Sequence, residues 1–166
     1  MSWGRSKPKA AGGPEPTAYQ RALGLLVRRE HSRKELGRKL VAKGVAREDL
    51  DLALDKLRRQ DFQNDARFAS ALARIRSSSG YGPARIRAEL ATHGLSRDDI
   101  AAAIESCERD WDASAREIIA RRYGNKDLSD PDLRRKAVDF LLRRGFEQKA
   151  AFGAVKARPE DEPAFD

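Results

Sequence analysis

One cysteine, Cys107, stands in a chain of 166 residues. A single thiol cannot build a disulfide framework within the chain, and a reducing compartment is the expected setting. Histidine is almost as scarce, with His31 and His93 the two present. They share no ligand spacing with each other or with Cys107, so neither a zinc site nor a histidine-activated nucleophile is expected. Capping or surface roles suffice for both, and Cys107 reads as a small packed residue. Aromatic residues make up only 7%. The core must therefore come from Leu, Ile, Val and Ala, which suits thin helical layers better than one large interior. No apolar run approaches the about 20 residues of a membrane span, and the first residues lack the apolar stretch of a secretion signal. A soluble, cytoplasmic protein is expected.

Nucleotide-binding loops are missing too. There is no Walker sequence and no GxGxxG, and SSSGYGP at 77–83 is the one Gly/Ser cluster. Ser77, Ser78, Ser79, Gly80 and Gly82 could cradle a phosphate at the next helix start, but a helix C-cap, a turn and an N-cap is the favoured reading. Glu48, Asp49 and Asp51, and then Asp98 and Asp99, fall in first turns of helices, where carboxylates complement the helix dipole. No catalytic residue, cofactor or metal site emerges. A non-enzymatic protein is expected.

What the chain has in quantity is charge, at 36% of residues, with 34 Lys and Arg against 26 Asp and Glu. The net charge of +8 and a pI near 9.9 favour polyanions through steering and counterion release, so nucleic acid or an acidic protein is the expected partner. The balance is +5 over residues 17–61, zero over 62–110 and +4 over 111–157. The ends of this region are therefore expected to face anions.

An internal repeat sets the architecture. Gly44 in LVAKGV, Gly94 in LATHGL and Gly145 in LLRRGF are spaced by 50 and then 51 residues. Four positions before each stands Leu40, Leu90 or Leu141, and eight before stands Leu36, Ile86 or Ala137. Val45, Leu95 or Phe146 follows directly. Leu50, Ile100 and Ala151, then Leu54, Ile104 and Val155, continue the match. These offsets lay apolar residues along one face of two helices joined at a left-handed glycine cap. A further helical pattern precedes each pair: Thr17–Arg29 with Ala22, Leu23, Leu26 and Val27; Asp65–Ser77 with Phe68, Leu72 and Ile75; Asp112–Tyr123 with Ala115, Ile118, Ile119 and Tyr123. Ser32 with Glu35 reads as a capping box, Pro83 and Pro131 as first helical residues, and Ser96 as a cap.

The expected fold is all-α, with three tandem repeats of a three-helix unit forming an elongated, curved stack. The units are placed at 17–63, 64–110 and 111–157. Residues 1–16 read as a disordered basic arm and 158–166 as an acidic tail. Short connecting turns leave both a monomer and an exchanged dimer open.

The basic residues carry the functional expectation. On Ser32–Lys43, Lys34 and Arg38 lie opposite the Leu36–Leu40 stripe, with Arg33, Lys39 and Lys43 on its flanks. Arg28 and Arg29 precede them, and Arg58 and Arg59 follow. Arg67, Arg74, Arg85 and Arg87 extend the series into the second unit, and Arg134, Arg135, Arg143 and Arg144 recur in the third. These are the candidate binding residues, weighed against the plainer reading of a solvated face. A helix-turn-helix operator reader is disfavoured, because the helix that would enter the groove opens REDLD or SRDD and sets carboxylates against phosphate.

The run from Tyr19 to Ile104 resembles the RecX family, through ALGLLVRREHSRKELGRKLVAKG, the NDARFA step, GYGPARIRAEL and LSRDDIAAAI. LRRKAVDFLLRRGF extends the resemblance more loosely, to roughly residues 17–157. It implies a bacterial regulator that binds the filament of the RecA recombinase on single-stranded DNA and suppresses ATP hydrolysis and strand exchange. It therefore implies a negative role in homologous recombination and the SOS and DNA-repair responses. The family has no catalytic motif to carry over. The third unit departs most, with Ala137, Lys149 and Ala150 where the others carry larger or acidic residues. Rival expectations are a general single-stranded DNA-binding protein acting by occupancy, and a scaffold for acidic proteins.

Overall fold

The structure is a computed structural model in which residues 13–156 are described. The basic arm before Gly13 and the acidic tail 158–166 lie outside the described residues. Among those residues every regular element is a helix: α1 (Ala18–Leu26), α2 (Arg33–Val41), α3 (Arg47–Arg59), α4 (Asp65–Ser78), α5 (Pro83–Ala91), α6 (Arg97–Glu105), α7 (Trp111–Tyr123), α8 (Pro131–Arg143) and α9 (Gln148–Lys156). Their starts follow local chemistry. Thr17, Ser32, Asn64, Ser96, Asp110 and Asp130 each accept a backbone N–H from the first turn, and Pro83 and Pro131 open their helices where no donor is needed.

Each group of three helices closes on its own apolar cluster. Ala22, Leu36, Leu40, Leu50, Leu54 and Leu57 form the first, and Phe68, Ala69, Ala73, Ile86, Leu90, Ile100 and Ala103 the second. The third gathers Ala115, Ile118, Ile119, Ala137, Leu141, Phe146 and Val155 among others. In every group the first helix packs on the third, so the glycine-linked pair is folded around one face of its leading helix. Gly44, Gly94 and Gly145 adopt φ of 79°, 74° and 89°, the left-handed cap that their spacing demands. The result is an all-α tandem-repeat fold.

Three local expectations are corrected. Helix α1 stops at Leu26 rather than Arg29, because Val27 is its C-cap and the Arg28 N–H turns back to the Leu25 carbonyl at 3.1 Å. Val27 is therefore 80% exposed, and Ile75, also assigned to an apolar face, is 59% exposed. The Ser32–Glu35 box is only half formed. The Ser32 hydroxyl accepts the Glu35 N–H at 3.1 Å, but the Glu35 carboxylate turns away to basic partners. The reciprocal box sits instead at Thr17 and Gln20.

The two junctions between groups are built differently. Side chains make the first: Ser32 Oγ lies 2.8 Å from His93 Nδ1, Lys34 Nζ donates to the Thr92 carbonyl at 2.8 Å, and the Arg33 N–H donates to Asp65 at 2.8 Å. Backbone makes the second: the Gly82 N–H donates to the Arg144 carbonyl at 2.8 Å and the Ala84 N–H to the Gly145 carbonyl at 3.0 Å. Trp111 reinforces it by packing against both the second and the third apolar cluster.

This difference predicts unequal costs for the same substitution. A Cβ on Gly44 meets nothing within 4 Å, so Gly44→Ala pays only for its left-handed backbone, about 1 kcal/mol. A Cβ on Gly145 overlaps the backbone of Arg85, so Gly145→Ala is expected to lose at least about 3 kcal/mol. Urea denaturation of the two variants measures both, and equal losses would show that the second junction is not tightly packed.

Candidate functional site

Glu35 lies beside the first junction, with Arg29, His31 and Lys39 of its own three-helix group around it. Its carboxylate is 8% exposed, and Arg29 approaches it with both guanidinium nitrogens at 2.5 and 3.2 Å. Lys39 Nζ lies 3.1 Å away and His31 Nδ1 3.0 Å away, each one helical turn from Glu35 in sequence. Burial alone raises a carboxyl pKa, but these three partners overcome it and bring Glu35 down to about 2. His31 is 2% exposed, and its Nδ1 forms no aligned hydrogen bond despite its closeness to Glu35. Burial pushes the His31 pKa below its usual value against the pull of that carboxylate. His93 is half-buried, with its ring 4.7 Å from the Phe68 ring, and is likewise lowered by burial. The expected surface or capping role of the histidines is thereby corrected. Both are packed at the junction, because α2 lays its polar edge against the end of α5.

The predicted basic residues separate into two classes. Several are occupied within the fold. Arg29 and Lys39 serve Glu35, Arg33 pairs with Asp55 at 2.9 Å, and Arg67 pairs with Glu30 and bonds the Asp61 and Phe62 carbonyls. Lys34 and Arg38 are both exposed, away from the Leu36–Leu40 stripe. Lys34 holds the Thr92 carbonyl, and both lie near enough to His93 to push its pKa down. Arg144 donates to the Ser79 and Gly80 carbonyls at 3.1 and 3.2 Å, Arg134 to the Leu128 carbonyl at 3.2 Å, and Arg135 pairs with Asp132 in the open. Arg85 lies over the Tyr81 ring. The second class is exposed with no hydrogen bond or ion pair among the described residues: Arg28, Arg38, Lys43, Arg58, Arg59, Arg74, Arg87 and Arg143.

Two features escaped the sequence reading. The Glu35 cluster had a partial signal in the four-residue spacing of His31, Glu35 and Lys39, but Arg29 joins it only because α1 ends early. The second is a set of aromatic contacts to cations involving Tyr81, Phe140 and Tyr123, signalled in part by the four-residue spacings of Tyr81 with Arg85 and of Phe140 with Arg144.

The N–H groups of Gly82 and Ala84 are already bonded to carbonyls, so the SSSGYGP turn offers no free cradle there. Cys107 Sγ lies 3.6 Å from the Ala103 carbonyl and packs on the second cluster. No group of three His, Cys, Asp or Glu side chains gathers among the described residues. No helix among them is long and apolar enough to cross a membrane. A shallow groove of about 500 Å³ beside Trp111 is lined by both signs of charge, with Arg87 and Arg109 against Glu105 and Glu108.

The buried carboxylate and its histidines make stability depend on pH. Folding lowers both histidine pKa values, so the unfolded chain binds protons that the folded chain refuses, and stability falls as pH drops below about 6.5. Glu35 adds a second loss as pH falls from about 4.5 towards 2. Urea midpoints measured from pH 8 to pH 5 are expected to decline, and to decline less in His31→Gln/His93→Gln. An unchanged slope in that variant would relocate the effect. Glu35→Gln is expected to lose about 3 kcal/mol at neutral pH, since its carboxylate pKa lies more than two pH units below the ordinary value.

Known proteins match this architecture piece by piece. Models of the RecX first, second and third three-helix domains match residues 18–57, 64–104 and 108–152. The chain is 52% identical over 147 residues to a regulatory protein RecX of Xanthomonas axonopodis pv. citri, covering 89% of this chain and 91% of the relative. It is 52% identical over the same length to one of Stenotrophomonas maltophilia, covering 89% of this chain and 90% of that one. A crystal structure of regulatory protein RecX superposes with a TM-score of 0.65 at 25% identity, covering 80% of this chain and 67% of that one. RecX from Lactobacillus salivarius shares the fold, with a TM-score of 0.65 over 84% of this chain and 92% of its own. The chain belongs to the RecX family of regulatory proteins.

Proposed function

We propose that this chain is a non-enzymatic negative regulator of homologous recombination, which binds the nucleoprotein filament of the RecA recombinase and suppresses its ATP hydrolysis and strand exchange. One observation supports the reading above the others. Cations that the fold leaves without a hydrogen bond or ion pair occur in all three repeats: Arg28, Arg38, Arg58 and Arg59 in the first, Arg74 and Arg87 in the second, Arg143 in the third. A tandem stack offers such groups at recurring intervals, which suits a polymeric and polyanionic partner better than a compact one. The units 17–63, 64–110 and 111–157 are then three successive binding modules. The regulatory name belongs to the relatives, and the recombinase as partner comes from the family resemblance. A cytoplasmic location follows from that partner. General binding of single-stranded DNA is the second reading, favoured by the aromatic rings that stand beside several cations.

The test is ATP hydrolysis by preformed RecA filaments, titrated with this protein while single-stranded DNA is in excess. Strong inhibition well below the concentration of DNA sites is expected. Inhibition only near saturation of the DNA would move the function to competition for DNA. Reversing Arg28, Arg38, Arg58 and Arg59 to Glu is expected to raise the half-inhibitory concentration at least about tenfold without loss of helical content, since none of the four holds the fold together.

A further inference from the structure

The third repeat leaves a group of cations unanswered where α7 ends. Arg121, Arg122 and Lys126 are exposed, and no carboxylate among the described residues lies within ion-pair distance of any of them. The Lys126 N–H donates to the Tyr123 carbonyl at 2.8 Å, which turns the chain back and keeps Lys126 beside the last turn of α7. Acidic groups that follow it serve the fold. Asp127 accepts the Ser129 N–H at 2.9 Å, Asp130 caps α8 by accepting the Asp132 N–H at 3.0 Å, and Asp132 pairs with Arg135 at 3.2 Å.

The end of α9 comes to the same place. Trp111 and Asp112 at the start of α7 line one shallow groove with Glu147, Lys149 and Ala150 at the start of α9. The two helices also pack along each other, so they run in the same direction. Helix α9 has 9 residues and is about 14 Å long, while α7 has 13 and is about 20 Å long. Lys156 therefore lies near the last turn of α7, and the chain beyond it starts beside Arg121 and Arg122.

That chain is acidic. Residues 158–166, RPEDEPAFD, sum to −3, and Glu160, Asp161 and Glu162 are consecutive. Pro159 and Pro163 bracket them. Proline does not fit a helix interior, so the carboxylates are not carried off along the axis of α9. Glu160 stands four residues beyond Lys156, a reach of up to about 14 Å. Axes of packed helices lie about 8–10 Å apart, so the three carboxylates can meet cations at the end of α7.

We propose that this surface docks the chain's own acidic segment, with Glu160, Asp161 and Glu162 set against Arg121, Arg122 and Lys126. Surface ion pairs between untethered partners are weak. A tether of a few residues changes this, because it holds the carboxylates at a roughly millimolar effective concentration. The segment preceding repeat one is basic, so the free cations Arg28, Arg58 and Arg59 have no tethered counterpart. The docked segment screens the third repeat from other anions until a stronger one displaces it. This contact is internal to the chain and independent of the recombinase reading.

The test uses the full chain. A carbodiimide joins a carboxylate to an amine that it already touches, and mass spectrometry of the peptides locates each link. Links from Lys126 to Glu160, Asp161 or Glu162 are expected at low salt. They should vanish in about 1 M salt, where the screening length is about 3 Å. A mixture of unlabelled and isotope-labelled chains identifies the source, since links of mixed mass would show that a second copy supplies the segment. Calorimetric titration with tetrapolyphosphate reads the screening. Glu160→Gln/Asp161→Asn/Glu162→Gln is expected to bind it at least about threefold more tightly than the parent chain. In an Arg121→Gln/Arg122→Gln/Lys126→Gln background the same three substitutions should bring no gain. Circular dichroism confirms that each variant is folded. Absence of the Lys126 links, links of mixed mass, or a gain that persists without the three cations would each overturn the docking. The last outcome would mark a long-range effect of net charge.

Discussion

Gly82 and Gly145 bring two chain segments so close that neither can carry a Cβ, and most of the molecule's geometry follows from that contact. Helix α5 opens with backbone donors in search of acceptors, and helix α8 closes with carbonyls in search of donors. At the second junction each end satisfies the other, through Gly82 to Arg144 and Ala84 to Gly145. The positive end of one helix dipole meets the negative end of the other. The central bonds of this contact are between backbone atoms, which side-chain titration does not alter, and the Arg144 guanidinium and Trp111 reinforce them. It also sets the Arg144 side chain beside Tyr81, from which the cation and ring series extends in both directions.

The first junction obeys a different logic. It relies on the side chains of Ser32, His93, Lys34, Asp65 and the buried Glu35, and the fold lowers the pKa of two of them, Glu35 and His93. A buried carboxylate needs cations to be tolerated, so Arg29 and Lys39 are taken out of the pool available to a partner. The same holds for Arg67 against Glu30 and for Arg76, which bonds both oxygens of Glu89 at 2.7 and 2.8 Å. Net charge along the sequence therefore misplaces the basic surface. The first repeat has the larger positive sum but spends much of it internally. The middle segment sums to zero and still presents Arg74, Arg85 and Arg87 to solvent.

Much of the fold was legible because it is periodic. The glycine spacing, the Leu36–Leu40, Ile86–Leu90 and Ala137–Leu141 stripes and the capping residues are local signals, and local signals determine helices. What sequence reading missed is non-local. Val27 and Ile75 fit an apolar period, yet a helix that ends one turn early exposes the first, and no neighbour covers the second. Ser32 and Glu35 have the spacing of a capping box, but a carboxylate near Arg29, Lys39 and His31 gains more from charge than from one backbone N–H. The Tyr81–Arg144 contact joins residues 63 positions apart, and no periodicity announces it. The basic residues were visible individually. Which of them the fold neutralises depended on acidic partners from other helices, as Glu30 does for Arg67.

The contrast between the junctions bears on how such a stack meets a long polyanion. Binding spread over many cations makes each one individually modest, so the arrangement matters more than any member. A backbone-locked second junction preserves the spacing between cations of α5, α7 and α8 as conditions change. The first junction is the adjustable one, because protonating His31 or His93 at its buried position weakens the contacts that orient repeat one against repeat two. A partner engaging all three repeats must therefore match one rigid interval and one compliant interval. Orienting energy is supplied by the fold at the second junction and must come partly from the partner at the first. Arg85, Arg144 and Arg122 are therefore held in a fixed relation by the second junction, while the placement of Arg58 and Arg59 relative to them depends on the charge state of the first.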